Sequence, residues 1–511
     1  IFIFVQVDAM AGIGKYLESN EGYGISYEDT HDMINEHDIS SAKGKIYPTS
    51  HTLKNEKRSQ FFKLSFDVLD RYVISATLRR DGTDKFFPGK KYALFPSVSA
   101  AWKISNEKFL KDVFWINLLK LRASYGKTGQ DNLGSSLYGV YEPSGFKVGF
   151  NDNGLFYVPC VSMGTNYPDV SWQKTIMKNI GLDFYLFKNR VSGSIDVFRN
   201  DVTSLLGYAS TSPLAIYPTR PINGGHFYRQ GWEIMLDTKN MVGDFNWNTQ
   251  LTFSKTNSFW KERMPNYDYR SYQKRNKEPM NAYYYYKMTG IINADRSNMP
   301  ESQKTLQAEA QLPGCPIIDD KNNDGKIDEN DIYLKDNTPD IYIGFGNTFT
   351  YKNWEFSFFM YGQFGILKSN IAYRAALPGP LAVDYPENTN KYAYLLWNSQ
   401  TNPNGTRPGL AVDRMGALPG GAGVNIDMEN ASFVRMRNIT LSYNFRDKIL
   451  GKLKKYVKGI KVYADVQNPF VISKFKGFDP EIYTGGGGAN NASRGEYPQA
   501  RTFTLGTNIV F

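Results

Sequence analysis

Apolar and polar residues alternate with a period of two in run after run of this chain, which confines it to β-strands with one apolar and one polar face. Phe503, Leu505, Ile509 and Phe511 alternate with Thr502, Thr504, Gly506 and Asn508. Phe245, Trp247, Leu251 and Phe253 alternate with Asn246, Asn248, Gln250 and Ser254, and Ile439, Leu441, Tyr443 and Phe445 with Asn438, Thr440, Ser442 and Asn444. A soluble sandwich shows the same alternation, so the spacing of the runs has to discriminate.

Such runs fall near 59–67, 71–81, 92–104, 115–127, 171–186, 190–206, 226–238, 244–259, 340–351, 354–366, 431–446, 457–472 and 499–511, with a further strand opening the chain at Ile1–Val7. Their connections alternate short and long. The short ones carry turn residues, as at Lys188-Asn189, Lys239-Asn240 and Lys352-Asn353, and the long ones are 128–170, 207–225, 260–339, 367–430 and 473–498. An outer-membrane barrel produces that rhythm, with tight periplasmic turns at one rim and long extracellular loops at the other. The fold class is therefore all-β, a transmembrane antiparallel barrel of about 14 strands. Trp102, Trp172, Trp247 and Trp354, near strand ends, are expected at the membrane interfaces.

Composition removes the competing classes. With 15% aromatic residues the chain is not disordered, and no stretch approaches the roughly 18 apolar residues of a membrane helix. Two cysteines, Cys160 and Cys315, make no disulfide framework and sit in no metal-ligand spacing, although both fall in long loops where a bridge is conceivable. The net charge of +10 comes from dispersed Lys and Arg with acids nearby, and no basic helix or nucleic-acid motif accompanies it. Outer-membrane lipid and lipopolysaccharide suit such dispersed charge better than nucleic acid. No signal peptide opens the chain at Ile1.

Several segments resemble the C-terminal half of SusC/RagA-type TonB-dependent transporters of the Bacteroidetes outer membrane, in the family's order. They are LRRDGTDKFFPGKKYALFPSVSAAWKIS from Leu78, LKLRASYGKTGQ from Leu119, VYADVQNPFVISKFKGFDPE from Val462 and YPQARTFTLGTNIVF from Tyr497. The resemblance implies a barrel of 22 strands preceded by a plug and a TonB box, which have no counterpart before Ile1. The chain is thus expected to be the C-terminal part of a longer protein, with 1–58 a strand plus extracellular loop and 59–511 the C-terminal part of the barrel. It further implies TonB-dependent import of a bulky hydrophilic nutrient, oligosaccharide before peptide, with a SusD-like surface lipoprotein and the TonB complex as partners. A passive porin, or a surface glycan-binding or adhesin β-protein without transport, is the alternative.

Local motifs suggest binding rather than catalysis. Residues 320–331 place oxygen ligands as an EF-hand loop does: Asp320, Asn322, Asp324 and Asp331 by side chain, Lys326 by its carbonyl, with Gly325 at the sharp turn and Ile327 as apolar anchor. A structural Ca2+ is one reading and a polar surface turn the other. In the long loops, Tyr283, Tyr285, Tyr392, Tyr394 and Trp397 are candidates to stack against sugar rings. A rim strand with alternate tyrosines at the interface is the competing reading of the Tyr283–Tyr286 run. His31, His37, His51 and His226 form no metal-ligand spacing, and no nucleophile elbow or P-loop is present, so an enzyme is not expected. Arg79, Arg80 and Asp81 are read as a structural ion pair or loop anchor.

Overall fold

Fourteen antiparallel strands pair in chain order into one sheet, with Val5–Tyr27 and Thr502–Val510 at its edges. This is seen in a computed structural model that describes residues 4–27, 46–132, 141–144, 150–151, 154–155, 160–163, 167–211, 219–265, 269–273, 277–370, 394–409, 418–445, 451, 456–477, 479–481 and 499–511. Between the edges run Ile46–Val68, Tyr72–Thr83, Tyr92–Lys103, Ile116–Gln130, Gln173–Leu186, Val191–Ser210, Thr219–Met241, Phe245–Glu262, Ile341–Tyr351, Trp354–Phe364, Phe433–Phe445 and Gly459–Ser473. All thirteen periodic runs and the opening strand are there.

Register sorts the two faces. Leu121 pairs with Leu182 and Ile180 with Val197, while on the alternate positions Lys120 pairs with Asp183 and Gly181 with Asp196. The first set belongs to an apolar face left open, with Ile180 62%, Val197 59% and Leu505 81% exposed. An apolar surface this extended marks a face covered by membrane or protein, and its strand-long alternation suits lipid. The second set is polar and internally paired, and lines the barrel interior. Arg122 donates from Nε to Asp183 at 3.0 Å and from Nη2 to Asp196 at 2.6 Å, and Lys461 reaches Glu355 at 3.0 Å.

The short turns are closed by left-handed residues. Leu69 and Asp70 do so between one pair of strands, and Phe187, Lys188 and Asn189 between another, all near φ +55°. Aromatic pairs gather at this end on the lipid face: Tyr72 with Trp102 at 6.5 Å, Trp115 with Phe187 at 5.8 Å, Trp247 with Phe349 at 5.8 Å and Trp354 with Tyr443 at 4.8 Å. They form the interface girdle. Trp172 does not join it. It lies at the loop end, 5% exposed among Phe86, Phe95 and Val170, and its Nε1 donates to the Lys91 carbonyl at 3.0 Å. The 84–91 turn folds over Phe95 and makes a sealed apolar niche there.

Three boundaries differ from the periodic reading. The first two strands form a hairpin paired from Val5 with Val68 to Tyr27 with Ile46, so most of 1–58 is strand rather than loop. Likewise 207–225 is mainly an extension of the Val191–Ser210 and Thr219–Met241 hairpin, paired out to Ser210 with Thr219. Strand ends that rise above the bilayer are wet on both faces and lose alternation, which hides them from a period-two search. Lys239 and Asn240 lie inside a strand, next to a bulge, and the turn falls after Met241.

Candidate functional site

The long segment after Glu262 folds into a small body of its own on the loop side of the barrel. Ala282–Tyr286 is the middle strand of a three-stranded sheet, flanked by Tyr333–Asp336 and Gly423–Val424. The tyrosine run is therefore no rim strand of the barrel. Alternation sends Tyr284 and Tyr286 inward, where Tyr272, Ile292, Cys315, Ile318, Ile327 and Ile332 pack around them. Tyr286 is fully buried, and its hydroxyl lies 3.0 Å from the carbonyls of both Asp328 and Pro419. Burial pushes the acidity of that hydroxyl well below that of a free tyrosine.

The same alternation turns Tyr283 and Tyr285 to the other face. Their rings stack at 5.1 Å, and Tyr285 stacks on Tyr333 of the neighbouring strand at 5.7 Å. Lys321 and Lys287 approach the Tyr333 ring at 5.0 and 5.6 Å. The Tyr333 hydroxyl donates to Asp319 at 2.6 Å, and Lys287 donates to the same oxygen at 3.1 Å. These bonds hold the Asp319 carboxyl below the usual carboxylate range, the Tyr333 bond first, and push Tyr333 up to about 12. With a depressed carboxyl pKa, this anchor is complete above roughly pH 4 and fades as the pH falls through the folded-state value. The result is a row of three half-buried rings edged by ionic groups. Such a row offers flat apolar faces and adjacent hydrogen-bonding groups at once.

Residues 320–331 form the expected sharp turn, with Gly325 at φ +84° and Ile327 buried in the loop core. Asp320 accepts from the Asp324 and Gly325 N–H groups at 3.2 and 2.9 Å, Asn322 donates to Asp324 at 3.0 Å, and Asp324 accepts from the Lys326 N–H at 3.1 Å. Asp331 serves backbone groups at both ends of the segment. It is fully buried and accepts from the Lys321 N–H at 2.9 Å and the Asp328 N–H at 2.8 Å, closing a capping box with Asp328. As arranged, the four side chains satisfy their own backbone. Among the described residues no group of three or more His, Cys, Asp or Glu is placed to hold a metal.

On the inner wall, Arg435 is 3% exposed, with its Nη2 2.5 Å from Asp479 and its Nε 2.8 Å from Glu481. The Tyr361 hydroxyl bonds Glu481 at 2.6 Å. This clamp pins the segment after Ser473 against the wall. Beside it opens a cavity of about 490 Å³ lined by Tyr361, Arg437, Asn438, Asp465, Gln467 and Glu481. Its surface is almost wholly hydrogen-bonding groups of both charges.

Residues 5–469 match the profile of the family described as TonB dependent receptor-like, beta-barrel. The chain belongs to this family. It is 29% identical over 498 residues to the TonB-dependent receptor SusC of Bacteroides thetaiotaomicron, covering 93% of this chain and 45% of SusC. To the TonB-dependent receptor P3 of Formosa agariphila it is 27% identical over 497 residues, covering 91% of this chain and 46% of that protein. The chain spans about half the length of the curated relatives it matches. Its fold is similar to that in the structure of the RagAB peptide transporter, with a TM-score of 0.75 at 20% identity, covering 98% of this chain and 53% of that one. The chain is thus a TonB-dependent-receptor-type β-barrel of the outer membrane, similar to SusC.

Other predicted site residues of this receptor barrel are distributed differently. Trp397 packs on Gly314 and Gly409, where a Cβ would meet its ring or backbone within 2.8 Å, so it serves the packing of the loop. Tyr394 is 69% exposed, and Tyr392 lies outside the described residues. Cys315 is a buried thiol whose sulfur lies 3.4 Å from the Glu309 carbonyl, and burial pushes it up to about 11. The side chain of Cys160 lies outside the described residues. Arg79 and Asp81 form the expected ion pair at 2.7 Å, while Arg80 sits over the Tyr92 ring at 4.3 Å. Sequence reasoning missed Tyr333 and Arg435. Tyr333 lies two residues after Asp331 and carried no signal, whereas the Asp479-Pro480-Glu481 partners of Arg435 lie within a segment already flagged by resemblance.

Proposed function

We propose that the intact protein imports a bulky hydrophilic nutrient across the outer membrane, energised by TonB and acting with a SusD-like surface lipoprotein. Oligosaccharide is the favoured cargo and peptide the next. The observation that carries this reading is the Tyr283, Tyr285 and Tyr333 row on the loop side of the barrel. Its flat faces suit the C–H face of a pyranose, and Asp319, Lys287 and Lys321 stand beside it for hydroxyl groups. The polar cavity by Tyr361 and Glu481 supplies further hydroxyl partners deeper along the wall. The named relative SusC and the RagAB peptide transporter support import as the class of activity, and no catalytic step is assigned to any residue.

Isothermal titration of the intact protein with a panel of oligosaccharides and peptides tests the cargo. Replacing both rings by Tyr283→Ala and Tyr285→Ala is expected to weaken glycan binding roughly tenfold or more, at about 0.5–1.5 kcal/mol per stacked ring. The paired Tyr→Phe variants keep most of the affinity. Unchanged glycan binding in the alanine double variant sinks the stacking role, and binding confined to peptides replaces the cargo.

A further inference from the structure

We propose that Lys127, Lys178, Arg199 and Lys255 form a basic belt on the lipid-facing surface of the barrel that binds the phosphorylated lipid A headgroup of outer-leaflet lipopolysaccharide. The proposal rests on the outer-membrane placement of the barrel and is independent of what the barrel transports.

Register places these four side chains on one face. Lys178 pairs with Tyr125 and with Arg199, Arg199 pairs with Gln230, and Lys255 pairs with Trp232. Tyr125, Ile180, Val197 and Phe253, two residues from each cation on its own strand, belong to the apolar outward face. In every case the cation lies on the long-loop side of that apolar neighbour, whichever way the strand runs. The belt therefore encircles adjacent strands where the aliphatic surface ends.

Energetics fix the depth. A Lys or Arg on the lipid face costs about 2–4 kcal/mol at the bilayer midplane and roughly 0–1 near the interface, so several on neighbouring strands belong at headgroup level. The long-loop rim is the extracellular one, whose leaflet carries phosphorylated lipid A. Charge complementarity points the same way. Asp201 is the carboxylate that meets this belt, 3.2 Å from Arg199 and 3.8 Å from Lys178, which leaves the four cations in excess. Lys178 keeps 54% of its side chain exposed and Arg199 42%, while Arg199 lies 4.1 Å above the Tyr228 ring and gives Nε and Nη2 to Asp201 at 3.2 Å each, so the lysines carry the unmatched charge that meets phosphate oxygens. Trp232 and Tyr228 flank the belt as interfacial aromatics do.

The test is native mass spectrometry of the intact protein in detergent, titrated with phosphorylated lipid A, with enzymatically dephosphorylated lipid A and with phosphatidylglycerol. Wild type is expected to retain phosphorylated lipid A selectively. The Lys127→Gln, Lys178→Gln, Lys255→Gln triple variant is expected to lose affinity by roughly a hundredfold, and the corresponding Lys→Arg triple variant to keep it. Equal retention of the dephosphorylated lipid, equal retention of phosphatidylglycerol, or an unaltered Gln triple variant each overturns the proposal. The headgroup comparison on wild type decides the matter if the Gln variant does not fold. Nutrient uptake by the Arg variant should be normal, which separates this belt from the transport reading.

Discussion

Arg435→Met is expected to destabilise the inner-wall clamp by about 3–5 kcal/mol, the cost of leaving a buried charge without its partner. Asp479 is 6% exposed and accepts from the Glu481 N–H at 2.8 Å and the Gln499 N–H at 3.3 Å, so its carboxylate stays in place when the guanidinium is removed. Arg435→Lys recovers little. One ammonium cannot span Asp479 and Glu481 as the planar fork does. Adding Asp479→Asn to Arg435→Met removes the stranded charge and should restore part of the loss. Thermal unfolding in detergent, read with protease cutting after Ser473, checks this: a lower melting point with earlier cleavage supports the clamp, and wild-type behaviour refutes it.

A second large effect is expected at Tyr286. Truncation to alanine empties the centre of the loop core, where Ile292, Cys315, Ile318 and Ile332 surround the ring, and a cavity of that kind costs about 3–5 kcal/mol. Tyr286→Phe keeps the packing and loses only the hydroxyl that ties Asp328 to Pro419, at about 1–3 kcal/mol. The defect should be local. The fourteen-stranded sheet shares none of that core, so β-structure by circular dichroism should persist while the 263–340 segment becomes protease-sensitive. A Tyr286→Ala protein whose loop resists protease as wild type does would show that the loop body is held from elsewhere.

Legibility in the sequence followed solvent contrast. Within the bilayer span the two faces of a strand meet lipid and polar interior, so Phe503, Leu505 and Ile509 announce themselves against Thr502, Thr504 and Asn508. Above the bilayer that contrast vanishes. Lys15, Glu18 and Glu21 in the opening strand and Lys54 and Lys57 opposite them obey no period, and the hairpin they form is invisible to an alternation search. Site residues divide the same way. Tyr283 and Tyr285 were legible as an aromatic run, but Tyr333 joins them only through strand pairing across some fifty residues of chain. The Asp320–Asp331 spacing suggested a cation loop, yet spacing does not show which backbone groups its side chains serve: Asp331 accepts from the Lys321 N–H and completes a capping box with Asp328. Arg435 reads locally as a polar position in a strand, and only the fold brings Asp479 and Glu481 to it.

Uptake of a labelled oligosaccharide by cells that carry the intact protein, compared with and without functional TonB, tests the import reading most directly. Accumulation should fall to background when TonB is lost and return when TonB is restored. Uptake that proceeds unchanged without TonB would make the barrel a passive pore and contradict the account.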